Sequence, residues 1–283
     1  MTKRRRYLFK LYYIGTSQYY GSQRQPNLLT VEECLLNALL EREYIINTKE
    51  SGFEAASRTD RFVSARGACF TCILGKEPIL MEINTALPDD IGIWAYTEVP
   101  LDFKSRYNAL LRHYVYVVPI PLSNLREIGS IDIDSMHKAC NAIVGQHDFV
   151  NFSKRDNSEV KTLRDILVSN LSINNDYLVF QFKSRAFLRQ QVRRMVKKIL
   201  DLGMGYISYE DFKELFDSSQ VLSYQPANAK GLILWDVEYN KNIGLKEDPK
   251  SKKRMERFFL QQKLSYKHQY QLFCFLQNGD ICK

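Results

Sequence analysis

The segment ASRTDRFVSARG, residues 56–67, is the most unusual stretch of the chain, and the elements around it decide the fold. It places one carboxylate, Asp60, among three arginines. The flanking segments Phe53–Ala56 and Ala68–Leu74 are β-prone, so the polar residues between them are predicted to form a loop joining two strands. An aspartate beside arginines is typical of a surface salt bridge or a turn cap, and a catalytic carboxylate is the alternative interpretation.

The segments before and after this loop predict an α+β fold with mainly antiparallel sheets. Alternating apolar residues indicate strands at Tyr7–Ile14 and Ile91–Val99. Thr30 followed by Glu33 is a capping-box pattern that predicts the start of a helix. Strands and helices do not alternate regularly, and no G-x-G-x-x-G or G-x-x-x-x-G-K motif is present, which disfavours a parallel nucleotide-binding sheet.

The second half of the chain mixes strands and helices in similar proportions. Asp134 is predicted to cap a helix that Gly145 ends, and Asn174–Asp176 is predicted to join two strands as a tight hairpin. A long basic helix is expected at Ala186–Leu202, a short helix at Ser208–Phe216 and a last strand at Leu232–Tyr239. We therefore predict an N-terminal half at 1–102, a C-terminal half at 103–243 and a basic tail at 244–283.

The composition is that of a folded, basic protein. The formal net charge is +8, and 45% of the residues are hydrophobic. A polyanion such as a nucleic acid is the natural partner, although many basic proteins bind none. Neither an apolar run long enough to span a bilayer nor a signal-type segment is apparent, which predicts a soluble, cytoplasmic protein. The tail could contact a nucleic acid or be a solvated, partly ordered segment.

The six cysteines include one C-x-x-C pair, Cys69 and Cys72. A zinc or redox site is one interpretation of this spacing. However, residues three apart on a strand point to opposite faces, and no second pair completes a ligand set. We favour buried structural thiols and expect no metal site.

Several further segments, together with this loop, resemble the tRNA pseudouridine synthase A family in its archaeal or eukaryotic form. The family's central motif, Arg-Thr-Asp followed by Val and Ala, is matched by Arg58-Thr59-Asp60 with Val63 and Ala65. Other matches follow in the family's order over about residues 7–240; they are Tyr12–Thr16, Gly21–Pro26, Asn84–Ile91, Phe103–Ala109, Arg112–Tyr116, Gly145–Ser153, Phe187–Val196 and Ala229–Leu232.

The resemblance implies two similar α/β-sandwich halves packed side by side, with a catalytic cleft between them. Asp60 would be the catalytic carboxylate, Tyr114 the aromatic platform for the flipped base, and Arg193 the partner that keeps Asp60 ionised. Phe187 and Val192 would form the apolar walls of the pocket. The arginines expected to contact RNA are Arg24, Arg58, Arg61, Arg66 and Arg106, and Arg194 is expected to face RNA or solvent.

The activity implied is the isomerisation of uridine to pseudouridine in the anticodon stem-loop of tRNA, at tRNA positions 38 to 40. The reaction needs no cofactor, and the family binds tRNA as a homodimer. Alternatives are a synthase with other tRNA targets, a non-catalytic RNA-binding protein on the same fold, and a metal-dependent nuclease, for which Asp89-Asp90 is the one acidic pair outside the charged helices.

Two departures stand out: Ser22 lies where the family commonly has Trp, and Phe62 replaces the usual Gly.

Overall fold

The computed structural model describes residues 4–154 and 161–278. Its strands are β1 (Arg5–Tyr13), β2 (Glu54–Ala55), β3 (Ser64–Leu74), β4 (Ile91–Val99), β5 (Leu111–Val117), β6 (Gly145–Asp148), β7 (Leu163–Asn174), β8 (Tyr177–Ser184), β9 (Leu232–Glu238) and β10 (Lys246–Glu247). Its α-helices are α1 (Val31–Glu41), α2 (Leu80–Asn84), α3 (Leu122–Ile128), α4 (Ile133–Ile143), α5 (Gln191–Gly203), α6 (Tyr209–Glu214) and α7 (Pro249–Asn278).

The strands of both halves belong to one continuous sheet. Its order is β10-β4-β1-β3-β9-β5-β8-β7-β6, with β2 pairing on β3. The halves meet where β9 pairs in parallel with β3, with Ser64 opposite Ile233 and Ala65 opposite Leu234. The other strand pairs in the described residues are antiparallel. The predicted α+β class with a mainly antiparallel sheet is therefore confirmed.

Local signals located two element boundaries correctly. The Thr30 hydroxyl accepts a hydrogen bond from the Glu33 amide at 3.2 Å and caps α1. Asn175 and Asp176 both have positive φ, at 47° and 66°, and join β7 to β8 by a two-residue hairpin. Positive φ at both central residues is the backbone of a type I′ turn, whose twist matches that of the strands.

Two predicted helix starts were wrong. Asp132, not Asp134, caps α4, because its carboxylate accepts the Ser135 amide at 2.9 Å. The basic helix begins at Gln191 and not at Ala186, since Gln190 has a left-handed φ of 61° that an α-helix cannot contain. The Gln191 side chain instead accepts the Leu188 amide at 2.7 Å and holds the preceding residues as a loop.

The predicted basic tail contains a helix of 30 residues, α7. Its first turns pack on the sheet: Met255 is buried with Tyr12 and Trp94, and Arg254 donates to the Tyr12 hydroxyl at 2.9 Å. Beyond this contact, large apolar side chains are exposed; they include Leu260, Leu264, Tyr266, Tyr270, Phe273, Phe275 and Leu276. None of the helices in residues 4–154 and 161–278 is long and apolar enough to cross a membrane.

Cys69 and Cys72 are buried on β3. Burial raises the pKa of each thiol to about 12, which disfavours the thiolate that metal binding or redox exchange requires. No group of three or more His, Cys, Asp or Glu residues that could hold a metal ion occurs in the described part of the chain. These two thiols are therefore packed as parts of the core.

Candidate active site

The loop that carries Asp60 ends in a tight turn immediately before β3. The Val63 amide donates to the Asp60 carbonyl at 3.2 Å, and within the turn Phe62 has a φ of 69°. A positive φ at the third residue is the feature of a type II turn, where Gly is preferred because it has no Cβ. This geometry gives a physical reason for the Gly expected from the resemblance, and in this chain Phe62 itself adopts the positive φ.

The residue before the aspartate, Thr59, is bound through all three of its polar groups. The Ser22 hydroxyl accepts its amide at 2.8 Å, the Ser22 amide donates to its carbonyl at 3.1 Å, and the Tyr13 hydroxyl lies 2.8 Å from its side-chain oxygen. Tyr13 is at the end of β1 and is buried. The loop is therefore fixed against the sheet through the residue next to Asp60.

Asp60 forms an ion pair with Arg193, on the first turn of α5. The distance between Asp60 Oδ2 and Arg193 Nη1 is 2.8 Å, and the Arg193 Nε donates to the Ala227 carbonyl at 2.8 Å. The Arg193 side chain is 12% exposed and that of Asp60 34%. The second hydrogen bond fixes the guanidinium, so that the carboxylate meets an oriented donor while one side of it stays accessible.

Tyr114 lies on β5 beside this pair and is buried. Burial raises the pKa of its phenol to about 12, and the Asp60 carboxylate acts in the same direction, whereas Arg112 and Ser57 lower it. The phenol therefore stays protonated at physiological pH. It can donate a hydrogen bond or a proton but cannot serve as a ready base.

Of the two apolar side chains expected to form the pocket walls, one contacts Tyr114 and the other is packed in the core. The Phe187 ring meets the Tyr114 ring edge to face, with centroids 5.2 Å apart. Val192 is buried in the core next to Arg193. The structure thus brings Asp60, Arg193, Tyr114 and Phe187 together, with Val192 supporting the helix that carries Arg193.

The arginines nearest Asp60 in sequence differ in how firmly they are held. Arg58 is exposed. Arg61 donates to the Ser17 carbonyl at 2.9 Å, and its guanidinium stacks 4.1 Å from the centre of the Tyr20 ring and 4.9 Å from that of Phe62. Arg61 is therefore partly engaged by the protein, whereas Arg58 is available to a ligand.

Arg24 and Arg106 lie on exposed loops. The Arg24 amide donates to the Glu32 carboxylate at 3.1 Å, and the Arg106 amide donates to that of Glu54 at 2.8 Å. Both contacts hold the backbone and use neither guanidinium; both residues are exposed, and the Arg106 guanidinium lies 5.8 Å from the centre of the Tyr107 ring.

Arg66 is placed apart from the other arginines. Its guanidinium lies 5.1 Å from the Trp235 ring centre and 6.0 Å from that of Trp94. Trp235 in turn contacts His113, which precedes Tyr114 on β5. Because consecutive strand residues point to opposite faces, Arg66 lies on the face opposite Tyr114. A phosphate contact by Arg66 would be made on that other face.

The expectation that Arg194 faces RNA or solvent was wrong. Arg194 is 8% exposed, and its guanidinium lies 5.0 Å from the centre of the Tyr224 ring. The segment 222–228 folds back over this side of α5, as the hydrogen bond from the Ala227 amide to the Arg193 carbonyl shows. Because Tyr224 is distant from Arg194 in the sequence, the residues around Arg194 do not indicate that it is covered.

Sequence reasoning missed the role of Arg112, on β5. Its buried guanidinium has no carboxylate partner among the described residues and donates to oxygens from the loops around it. The acceptors are the carbonyls of Ala56, Arg106, Ala109 and Arg185 and the hydroxyl of Ser57. Arg112 thus ties the C-terminal half to the start of the Asp60 loop. The available signal was a charged residue at the start of an otherwise apolar strand.

Comparisons with known proteins find relatives over most of the chain. A family profile described as tRNA pseudouridine synthase matches residues 139–240. A protein named "tRNA pseudouridine synthase A" from Methanosphaera stadtmanae is 36% identical, covering 95% of this chain and 97% of the relative. Proteins of the same name from Methanothermobacter thermautotrophicus and a Geobacter species are 36% and 35% identical, covering 88% and 80% of this chain and 87% and 96% of the relatives.

Proposed function

Since the chain belongs to the tRNA pseudouridine synthase family and is an isomerase acting on tRNA, we propose that Asp60 is its catalytic carboxylate and that its targets lie in the anticodon stem-loop, at tRNA positions 38 to 40. The observation that carries the assignment of Asp60 is its ion pair with Arg193 beside the buried Tyr114. The cytoplasmic homodimer implied by the resemblance is part of the same proposal.

The chemistry explains why a single carboxylate is sufficient. The N1–C1′ bond of uridine breaks, the uracil turns over, and a C5–C1′ bond forms; the proton on C5 leaves and N1 gains one, with no net redox change. Cleavage of a glycosidic bond develops positive charge at the sugar, which a carboxylate can stabilise or capture. Arg193 supports this role by donating to one oxygen of Asp60, which orients the carboxylate and leaves its other oxygen for the substrate.

The uridine must leave its stack to reach Asp60. Extrusion costs a few kcal/mol, and stacking on an aromatic side chain returns about 1–3 kcal/mol per base. Tyr114 and Phe187 are the aromatic groups beside the carboxylate. With a pKa of about 12, the Tyr114 hydroxyl can also hold or deliver a proton at the uracil.

Contacts to the tRNA backbone are assigned to the exposed arginines around the cleft. We assign Arg58 to the extruded nucleotide, because it is exposed and two residues from Asp60. Arg24, Arg61 and Arg106 would contact phosphates along the same side, and Arg66 a more distant part of the substrate.

Release of tritium from tRNA labelled at C5 of uridine tests the proposal. Wild type should release tritium to solvent, and Asp60→Asn should release none above background while still binding tRNA. Asp102→Asn is the matched control, because Asp102 is exposed and the same loss of charge there should leave release unchanged.

Three results would contradict the assignment. Release by Asp60→Asn at the wild-type rate would remove Asp60 from the chemistry. Tight binding of tRNA without release by wild type would favour the non-catalytic RNA-binding alternative, and strand cleavage the nuclease. Mapping of pseudouridine in the product tests the target positions, and modification outside positions 38 to 40 would overturn that part alone.

A further inference from the structure

The loop that presents Asp60 carries a backbone strain that begins two residues after the aspartate. Phe62 is a non-glycine residue with φ 69°, which for an ordinary L-residue is costly. The Gly15 backbone approaches this turn closely, since a Cβ on Gly15 would lie 2.3 Å from the Phe62 carbonyl carbon. The backbones of Gly15 and Phe62 are therefore in close contact, which restricts how the turn can relax on that side.

On the opposite side of the aspartate, Thr59 is held by the Ser22 amide, by the Tyr13 hydroxyl and by the Ser22 side-chain hydroxyl. The Thr59 amide has the Ser22 hydroxyl as its acceptor, at 2.8 Å. Gly21, with φ 94°, brings this hydroxyl close, since a Cβ on Gly21 would lie 2.9 Å from the Thr59 carbonyl oxygen. A tryptophan at residue 22 could not replace the contact, because its indole N–H donates and has no lone pair to accept with.

We propose that Ser22 is a positioning residue for catalysis. It keeps Asp60 paired with Arg193 despite the strained backbone at Phe62. The inference rests on the proposed function of Asp60 and adds to it. Asp60 lies between a strained turn and an anchored threonine, so the hydrogen bond from the Thr59 amide to the Ser22 hydroxyl opposes displacement of the carboxylate by the strained turn. The two departures from the family pattern, Ser22 and Phe62, therefore act together on the position of Asp60.

The coupling predicts which substitutions compensate. Ser22→Ala removes the acceptor of the Thr59 amide and loosens Thr59, which keeps its bonds to the Ser22 amide and the Tyr13 hydroxyl. We expect a loss on the order of tenfold in the single-turnover rate at saturating tRNA, because a small misplacement of a reacting group is costly. The Kd for tRNA should stay within about twofold, since Ser22 is not placed to carry binding. Ser22→Thr retains the hydroxyl and should restore most of the rate.

The double variant Ser22→Ala with Phe62→Gly is the decisive comparison. Glycine relieves the strain at φ 69°, so the rate lost by Ser22→Ala should be largely recovered in the Phe62→Gly background. If Ser22→Ala alone does not fold, the double variant compared with Phe62→Gly still measures the effect of the hydroxyl. Ser17→Ala is the matched control, because Ser17 is exposed and its bond to Arg61 uses the carbonyl oxygen.

Several outcomes would overturn the proposal. These are a wild-type rate in folded Ser22→Ala, an equal loss in Ser22→Thr, a loss confined to the Kd, or the same loss with and without Phe62→Gly. Hydrogen exchange at the Thr59 amide, which Ser22→Ala should speed at least tenfold, gives a readout that needs no activity. Absence of tritium release from wild type would instead refute the proposed function. The hydrogen-exchange result would still test the contact between Ser22 and Thr59, because it does not depend on activity.

Discussion

The Asp60 loop has no regular secondary structure but is firmly held, whereas the helix α7 is regular along its length but packs on the sheet mainly at one end. Residues 57–63 contain no helix or strand, yet Thr59 is bound through three polar groups and Asp60 is paired with Arg193. By contrast, α7 has 30 residues of regular helix, but its packing against the sheet is concentrated around Met255. Backbone regularity satisfies the chain's own hydrogen bonds, whereas position relative to the rest of the molecule comes from contacts between distant residues.

This contrast has a chemical counterpart. A catalytic carboxylate needs to be held to within a fraction of an ångström, and a loop bonded from several elements can achieve this. A helix attached at one end does not supply such precision. We therefore expect substitutions at the loop to change turnover strongly and substitutions along α7 to change it little, with any cost of the latter appearing in stability.

The strongest test on the loop side is Arg193→Met, which keeps much of the side-chain volume and removes the charge. Asp60 would lose its oriented partner, and we expect the single-turnover rate of tritium release to fall by about a hundredfold. Arg189→Met is the matched control, because Arg189 is exposed just before the same helix. Equal rates for the two variants would refute the role of Arg193.

A smaller loss is expected for Tyr114→Phe, which keeps the ring and removes the hydroxyl. Stacking should persist, while proton delivery should be lost, reducing turnover by roughly tenfold. Because the phenol pKa is raised to about 12, the wild-type hydroxyl stays protonated well above neutral pH. The ratio of wild-type to variant rates should therefore be constant from about pH 6 to about pH 9. The raised pKa lies further above this range than the ordinary tyrosine pKa near 10. A ratio that falls across this range would mean that the phenol titrates there.

The smallest effect on turnover is expected at α7. Met255→Ala leaves a cavity beside Tyr12 and Trp94 and should lower the free energy of unfolding by about 2–4 kcal/mol, with the activity of the folded protein within about twofold of wild type. Leu264→Ala, on the exposed part of the helix, should change stability by less than about 0.5 kcal/mol. Denaturant unfolding checks both values. A large loss of turnover in folded Met255→Ala would show that α7 acts on the site.

Features that depend on residues close together in the sequence could be predicted, whereas features that depend on distant residues could not be predicted from local patterns. The cap at Thr30 and the hairpin at Asn175 and Asp176 depend on residues a few positions apart, and both were predicted correctly. The pairing of Asp60 with Arg193 joins residues far apart in sequence, and it was anticipated only because the motifs resemble a family. The true start of α5 was missed because a side-chain hydrogen bond, from the Leu188 amide to Gln191, competes there with the helix.

Other features were not predictable because nothing local encodes them. The cover over Arg194 is supplied by Tyr224, from a segment beyond the helix. The bond from Ser22 to Thr59 joins two loops whose approach is decided by the sheet. Ser22 and Phe62 could be marked from sequence as departures, but their coupling emerges only once both lie against the same turn.

The parallel pairing of β3 with β9 has a consequence for how the enzyme is made. Asp60 is four residues before β3, and Ala227, which orients Arg193, is five residues before β9. The loop with Asp60 and the segment with Ala227 therefore lead into neighbouring strands that come from distant parts of the chain, while Arg193 itself lies on α5. During synthesis the site cannot assemble until residues 232–238 have left the ribosome, and contacts of such long range form slowly. The nascent protein should therefore complete most of its sheet before it can act on any tRNA.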